Sequence, residues 1–198
     1  EKLGRHVQDL INRQEWIAVD PATGFYNGYY DNDGNKTDAY DPERRKASMT
    51  LTGQVFPILS GTAGQEKLPS VFAAVRKFLK DSRLKGFHLN TRHDGLRMNL
   101  GRAYAFAYGT KENGAFFSHM CVMLMNGLYS RGLVREGYEV FSSLFRMSAD
   151  SAVSRIFPGL PEYFDLSGRG AYHYLTGSAS WMVLTLLTQV FGVRGEMG

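Results

Sequence analysis

Two short stretches hold the polar groups whose types and spacing suit chemistry. "AYGTKENGAFFSHM" (107 to 120) sets Lys111, Glu112 and Asn113 between glycines, ahead of an apolar helix pattern that contains His119. "YLTGSASW" (174 to 181) sets Thr176 and Gly177 at the mouth of a second apolar helix. The free N–H groups and positive dipole end of a helix attract an anion, and a glycine there lets it come close. Two such mouths with a lysine and a histidine make a cationic pocket suited to phosphate. Plainer readings stay open for the same residues. Thr176 or Ser178 can be a simple cap, His119 a buried imidazole with a backbone partner, and Lys111 with Glu112 a solvated ion pair.

Other candidates carry less. Asp31, Asp33 and Asn35 imitate the start of a calcium loop, but Lys36 stands where the loop needs glycine and Pro42 where it needs a bidentate glutamate. His88 and His93 are five residues apart and would not share a helix face for a metal, so they read as loop histidines. The single cysteine, Cys121, lies in an apolar helical run, which leaves no disulfide framework or cysteine zinc site and suits a reducing, cytoplasmic setting. No metal and no organic cofactor is expected.

The elements that must position these residues are mostly helical. The 198 residues are enough for one domain, and 43% hydrophobic content can fill a core. The net charge is +4, yet "ERRK" (43 to 46) is the only dense basic cluster, which argues against a nucleic-acid partner. No stretch reaches the ~18 apolar residues of a membrane span. Helical periodicity predicts helices over 69 to 81, 115 to 132, 135 to 148 and 178 to 192, with shorter ones at 5 to 13 and 52 to 60. The link "RGLVRE" makes an antiparallel pair of the second and third, and "SGTAGQE" turns the helix at 52 into the helix at 69. The expected class is therefore all-α, built of antiparallel helix hairpins. Long glycine- and aromatic-rich connections separate them, and "GFYNGYYDNDGNK" (24 to 36) reads as a short β-hairpin arm.

With these motifs in hand, the chain resembles the inverting glycoside phosphorylases of glycoside hydrolase family 94. "TKENGAFFSH" is similar to their (K/R)EN-(A/G)-G-x-x-x-H segment, with Ala115 at a place where glycine is common. "YLTGSASW" is similar to their W-L/Y-T-G-S/T-A-x-W segment, in the correct order downstream. "FYNGYYDNDGNK" and "LTGQVFPILSG" look like the family's RRAYYDDG arm and the glutamine-containing helix after it.

The resemblance implies a role for each matching position. Phosphate binding falls to His119, Thr176 and Gly177, and contact with the leaving-group sugar to Lys111 and Glu112. An aromatic flanking that sugar would be Phe106 or Tyr108. Glu162, in "FPGLPEYF", and Gln54 are further sugar-binding candidates for which a structural hydrogen bond is an equal alternative. Inorganic phosphate would be the co-substrate and a β-linked gluco-oligosaccharide the substrate. The family's general acid is an aspartate in a D-W-N-D-like segment that these residues do not contain, so no catalytic acid is assigned here. The family fold is an (α/α)6 barrel, of which these helices would make about half. Residues 1 to 198 are thus expected to be the C-terminal portion of one larger catalytic domain, exposing apolar surface unless the rest of the polypeptide or a homodimer partner covers it. The alternatives are the phosphorylase-like domain of a cyclic β-1,2-glucan synthase and a non-catalytic carbohydrate-binding or scaffold piece.

Overall fold

The computed structural model describes residues 1 to 95, 97 to 156, 159 to 173 and 176 to 195. The elements run α1 (Lys2–Gln14), β1 (Trp16–Asp20), β2 (Thr23–Tyr26), β3 (Ala39–Asp41), β4 (Lys46–Ser48), α2 (Thr52–Ser60), α3 (Leu68–Phe78), β5 (Phe116–Phe117), α4 (Ser118–Ser130), α5 (Val134–Ala149), α6 (Ser151–Ser154), β6 (Tyr163–Phe164), β7 (Gly170–Ala171) and α7 (Gly177–Thr185). Each of the six predicted helices is present. The expectation of an all-α chain with one hairpin needs correction, because the long connections pair with themselves into small antiparallel sheets, β1–β2, β3–β4 and β5–β6–β7. Aromatic and β-branched residues flanked by turn formers favour that pairing wherever one face can be buried.

The apolar stripe of α3 falls where its spacing predicts. Leu68, Val71, Phe72 and Val75 are buried, and Pro69 sits in the first turn, where a missing N–H costs nothing. Its main neighbour is not the predicted partner α2. α3 lies on β2 instead, with the Phe78 ring edge-on to Phe25 at 6.1 Å. Helix α2 packs on α4, where a Cβ at Gly127 would meet Ile58 Cγ2 at 3.0 Å, so glycine sets the spacing of that pair. Arg131 donates to the carbonyls of Ile58 and Ala63 at 3.1 Å each, placing a cation at the negative end of α2. The predicted α4–α5 pair forms through three residues, closed by Gly132 at φ 80°. Cys121 is fully buried in this core, and burial pushes its thiol up to about 12.

The predicted helix at 115 begins only at Ser118. Phe116 and Phe117 are taken into β5, opposite Phe164 and Tyr163, and the Ser118 N–H donates to the Glu162 carbonyl at 2.8 Å. The arm also has its own closure: Asp31 accepts from the N–H groups of Asp33 and Asn35 at 3.0 and 2.8 Å, so its carboxylate serves the turn.

Where the arm crosses the start of α2, backbone meets backbone. A Cβ on Gly53 would lie 2.5 Å from Gly28 Cα, and one on Gly28 would lie 2.7 Å from Gly53 Cα. No side chain can yield there. Gly53→Ala is expected to lower unfolding free energy by ~1–3 kcal/mol, the usual range for forced overpacking, which denaturant titration would read.

Helix α7 departs from core behaviour. Only Ser178 and Thr185 are buried within it, it runs into a π-helical turn over Leu186–Val190, and Val183, Leu184, Leu187, Val190 and Phe191 are exposed. The apolar surface expected from the sequence thus includes this C-terminal row, beside Val134, Tyr138 and Phe145 on α5. Among the described residues no helix is long and apolar enough to cross a membrane.

Candidate active site

The three-stranded sheet β5–β6–β7 brings the first turns of α4 and α7 together. Ser118 at the head of α4 is tied to Glu162, and Ser178 at the head of α7 donates its hydroxyl to the Pro161 carbonyl at 3.2 Å. Thr176 is the N-cap of α7, its hydroxyl accepting from the Ser178 N–H at 3.2 Å, so the capping reading holds. It does not exclude a second use of the mouth, since one side chain satisfies one of about four orphan N–H groups.

His119 lies directly on that mouth. A Cβ at Gly177 would come within 2.9 Å of His119 Cε1 and 3.4 Å of Nε2, and the Trp181 ring flanks the imidazole at 5.9 Å. Its Nε2 is buried with no hydrogen-bond partner. A core histidine satisfied by backbone would not leave that nitrogen bare. Burial also lowers its pKa, so near pH 7 the ring is neutral and offers one N–H. Tyr174 and Leu175, the start of the second motif, lie outside the described residues.

The Lys-Glu-Asn loop is a tight turn. The Asn113 N–H donates to Thr110 O at 3.1 Å and the Gly109 N–H to Asn113 O at 2.7 Å, with Lys111 itself at φ 47°. Both bracketing glycines are required. Gly114 stands at φ 72°, and a Cβ there would overlap the Tyr108 ring at 2.0 Å. Asn90 suspends the loop, donating to Asn113 Oδ1 at 3.1 Å and accepting from the Gly114 N–H at 2.7 Å. Asn113 in turn donates to the Phe106 carbonyl at 2.7 Å.

This turn sends its two charged residues to different places. Lys111 Nζ stands 4.2 Å over the Tyr172 ring and 5.5 Å from Phe106. Hydrogen bonding to Tyr172 pushes its ammonium above the usual range, with Glu162 and Glu112 adding their charges. Glu112 lines a cavity of about 340 Å3 with Gly28, Tyr29, Thr50, Asn90 and Tyr104, and its Oε2 is buried without a partner. His119 and the helix mouth thus meet as expected, while Lys111 is held over Tyr172, with no described contact to His119.

The remaining candidates separate cleanly. Phe106 faces Lys111, whereas Tyr108 backs the turn, its hydroxyl donating to Asn90 O at 3.1 Å. Glu162 immediately precedes β6, near enough for its charge to act on Lys111. Gln54 is a correction to the set of substrate-facing residues. It is fully buried, and its amide clamps β2, accepting from the Tyr26 N–H at 2.9 Å and donating to the carbonyls of Tyr26 and Thr50 at 2.8 and 3.0 Å.

Sequence reasoning missed Asp38, Asn90, Tyr104 and Tyr172. Asp38 is a buried carboxylate that accepts from Gly28 N, Thr50 N and Thr50 Oγ1 at 2.9, 3.1 and 2.7 Å, fixing the wall opposite Glu112. Burial pushes its pKa up against those hydrogen bonds. Only the neighbouring "TDAY" of the arm hinted at it, by an acid placed in an otherwise apolar and hydroxyl-bearing run.

Comparison with known proteins identifies the family. The sequence profile of the glycosyl hydrolase 94 superfamily catalytic domain matches residues 1 to 192. A 3-O-β-D-glucopyranosyl-β-D-glucuronide phosphorylase of Paenibacillus borealis is 26% identical over 97% of this chain and 25% of its own length. The N,N'-diacetylchitobiose phosphorylase of Vibrio furnissii is 23% identical over 98% of this chain and 26% of its own. The cyclic β-(1,2)-glucan synthase NdvB of Rhizobium meliloti is 25% identical over 96% of this chain and 7% of its own. The chain therefore spans about a quarter of the phosphorylases it matches. With a profile match over nearly all of its residues, the chain belongs to the glycosyl hydrolase 94 superfamily, within the catalytic domain.

Proposed function

We propose that this chain is part of a carbohydrate phosphorylase that cleaves a β-glucosidic bond with inorganic phosphate, inverting the anomeric carbon to give an α-sugar 1-phosphate. The observation that carries this reading is the bare, buried Nε2 of His119 against Gly177. Phosphate arrives already anionic and needs no base. The protein has only to hold its charge beneath the anomeric carbon, and a helix mouth with an added imidazole N–H does so without reorganisation. Thr176 orders that mouth.

On the acceptor side, Glu112 and Lys111 hold the leaving sugar, Phe106 lies against its face, Tyr108 backs the turn and Glu162 steadies Lys111. As the glycosidic bond breaks, its oxygen must take a proton from a general acid. That acid is assigned to an aspartate outside these 198 residues, which together would form part of one (α/α)6 domain. The exposed row on α7 supports this, as a surface covered by the remaining polypeptide or a second copy. The reading includes a cytoplasmic setting, phosphate as co-substrate without a further cofactor, and neither nucleic acid nor membrane as partner. NdvB among the relatives supports a second reading, the phosphorylase-like domain of a glucan synthase.

Incubation with α-glucose 1-phosphate and glucose, cellobiose or sophorose tests the proposal by phosphate release. The full-length protein is expected to release phosphate with at least one acceptor, and the 198-residue piece with none. Release by the piece alone would overturn the placement of the acid, and no release by the full-length protein with any acceptor sugar would overturn the phosphorylase reading.

A further inference from the structure

Two consecutive carbonyls just ahead of β6 each hold the head of a helix. Pro161 O accepts from the Ser178 hydroxyl of α7 at 3.2 Å, and Glu162 O accepts from the Ser118 N–H of α4 at 2.8 Å. The strip is fixed in turn by the Glu162 N–H, which donates to Tyr172 O at 2.9 Å. The two heads are tied by different means. On α4 the backbone makes the bond, and the Ser118 hydroxyl is buried without a partner. On α7 the side chain makes it.

Ser178 also decides where the proton of Thr176 points. A carbonyl only accepts, so the single proton of the Ser178 hydroxyl goes to Pro161. The Thr176 hydroxyl, 2.8 Å away, therefore donates to Ser178 Oγ while accepting from the Ser178 N–H at 3.2 Å. The cap and the helix head hang on one serine. Little else buries this helix. Only Ser178 and Thr185 are buried within α7, and Thr185 accepts from Asn126 Nδ2 at 3.1 Å, about two turns farther on. Ser178 is itself fully buried, so it reaches an anion at the mouth only through its neighbours.

We infer that, within the phosphorylase reading on which this rests, Ser178 is a positioning residue of the phosphate site: its hydroxyl seats the head of α7 on Pro161 and so sets the spacing between Gly177 and His119. That spacing has no slack, since a Cβ on Gly177 would lie 2.9 Å from His119 Cε1. An anion shared by the helix N–H groups and the imidazole needs both at hydrogen-bonding distance at once. A displacement of about 1 Å can cost about a hundredfold in rate where groups must act together.

The test uses the full-length protein, assayed with inorganic phosphate and the glycoside formed from its productive acceptor. Ser178→Ala is expected to raise the KM for phosphate by severalfold to about tenfold, the scale of one neutral hydrogen bond, with the KM for the glycoside unchanged. Ser118→Ala loses no hydrogen bond and is expected to leave both constants in place. The paired serines separate positioning from general loosening of the fold. An unchanged phosphate KM in Ser178→Ala, an equal rise for the glycoside, or the same rise in Ser118→Ala would each overturn the inference. Should Ser178→Ala lack a cooperative melting transition, Ser178→Cys keeps a small side chain with a weaker donor and is read by the same criteria.

If the wild type releases no phosphate with any acceptor, the phosphorylase reading falls, and an NMR titration of His119 with inorganic phosphate judges Ser178 by itself. A phosphate-dependent shift of that ring which Ser178→Ala weakens and Ser118→Ala keeps would uphold the positioning role. No shift in the wild type, one that Ser178→Ala leaves intact, or one that both variants weaken alike would sink it.

Discussion

Replacing His119 with alanine in the full-length protein should raise the KM for phosphate by roughly 10- to 150-fold, the equivalent of ~1.5–3 kcal/mol for one hydrogen bond to a charged group. The acceptor KM should barely move, because Glu112 and its cavity are built on other elements. Gly177→Ala should do similar damage by a different route. Its new Cβ would sit 2.9 Å from His119 Cε1, so the imidazole must leave its place on the helix mouth. The pair of changes separates the two causes. In the double variant the methyl group occupies space that the ring has vacated, so the combined loss should be close to that of His119→Ala alone instead of the sum. Additive losses would mean that Gly177 acts without His119.

An NMR titration adds a sign to the same prediction. Burial depresses the His119 pKa, so the free protein should show this ring titrating below the ordinary value for histidine. Bound phosphate favours the charged form, and the pKa should rise when phosphate is added. No phosphate-dependent change in that titration would place the anion elsewhere.

Glu112→Gln carries the second large effect. Its Oε2 is buried beside the 340 Å3 cavity with no partner, an arrangement that costs stability until a donor satisfies it. Removing the charge should raise the acceptor KM by about 10- to 100-fold, as for loss of a charged hydrogen-bond acceptor, and leave the phosphate KM nearly unchanged. The thermal midpoint should not fall, since Oε2 has no hydrogen-bond partner to lose in the free protein. A residue kept for folding would show the reverse pattern, with loss of stability and retained affinity.

Much of this site was legible in the sequence because its parts are local. The turn around Lys111 needs glycines at fixed places, and Thr176-Gly177 needs only a helix to follow. His119 was recognisable by its place in an apolar helix pattern, although the helix starts one residue before it. What sequence could not supply was pairing across distance. Asp38 acquires its role only when β2 and α2 bring Gly28 and Thr50 to it, and Gln54 reads as a sugar ligand until its amide is seen clamped to Tyr26. The fold shows the same division. Helix positions followed from period alone, whereas the choice of β2 over α2 as the partner of α3 depended on Phe25 and Phe78 meeting.

The suspension of the acceptor turn from Asn90 bears on how such a protein diversifies. Its hydrogen bonds run through Asn113 and Gly114 to Phe106, and none of them passes through the α4–α7 mouth that faces His119. Under the reading proposed above, changes within the turn would alter which sugar is held while leaving the hydrogen bonds that join the heads of the two helices to β6 in place.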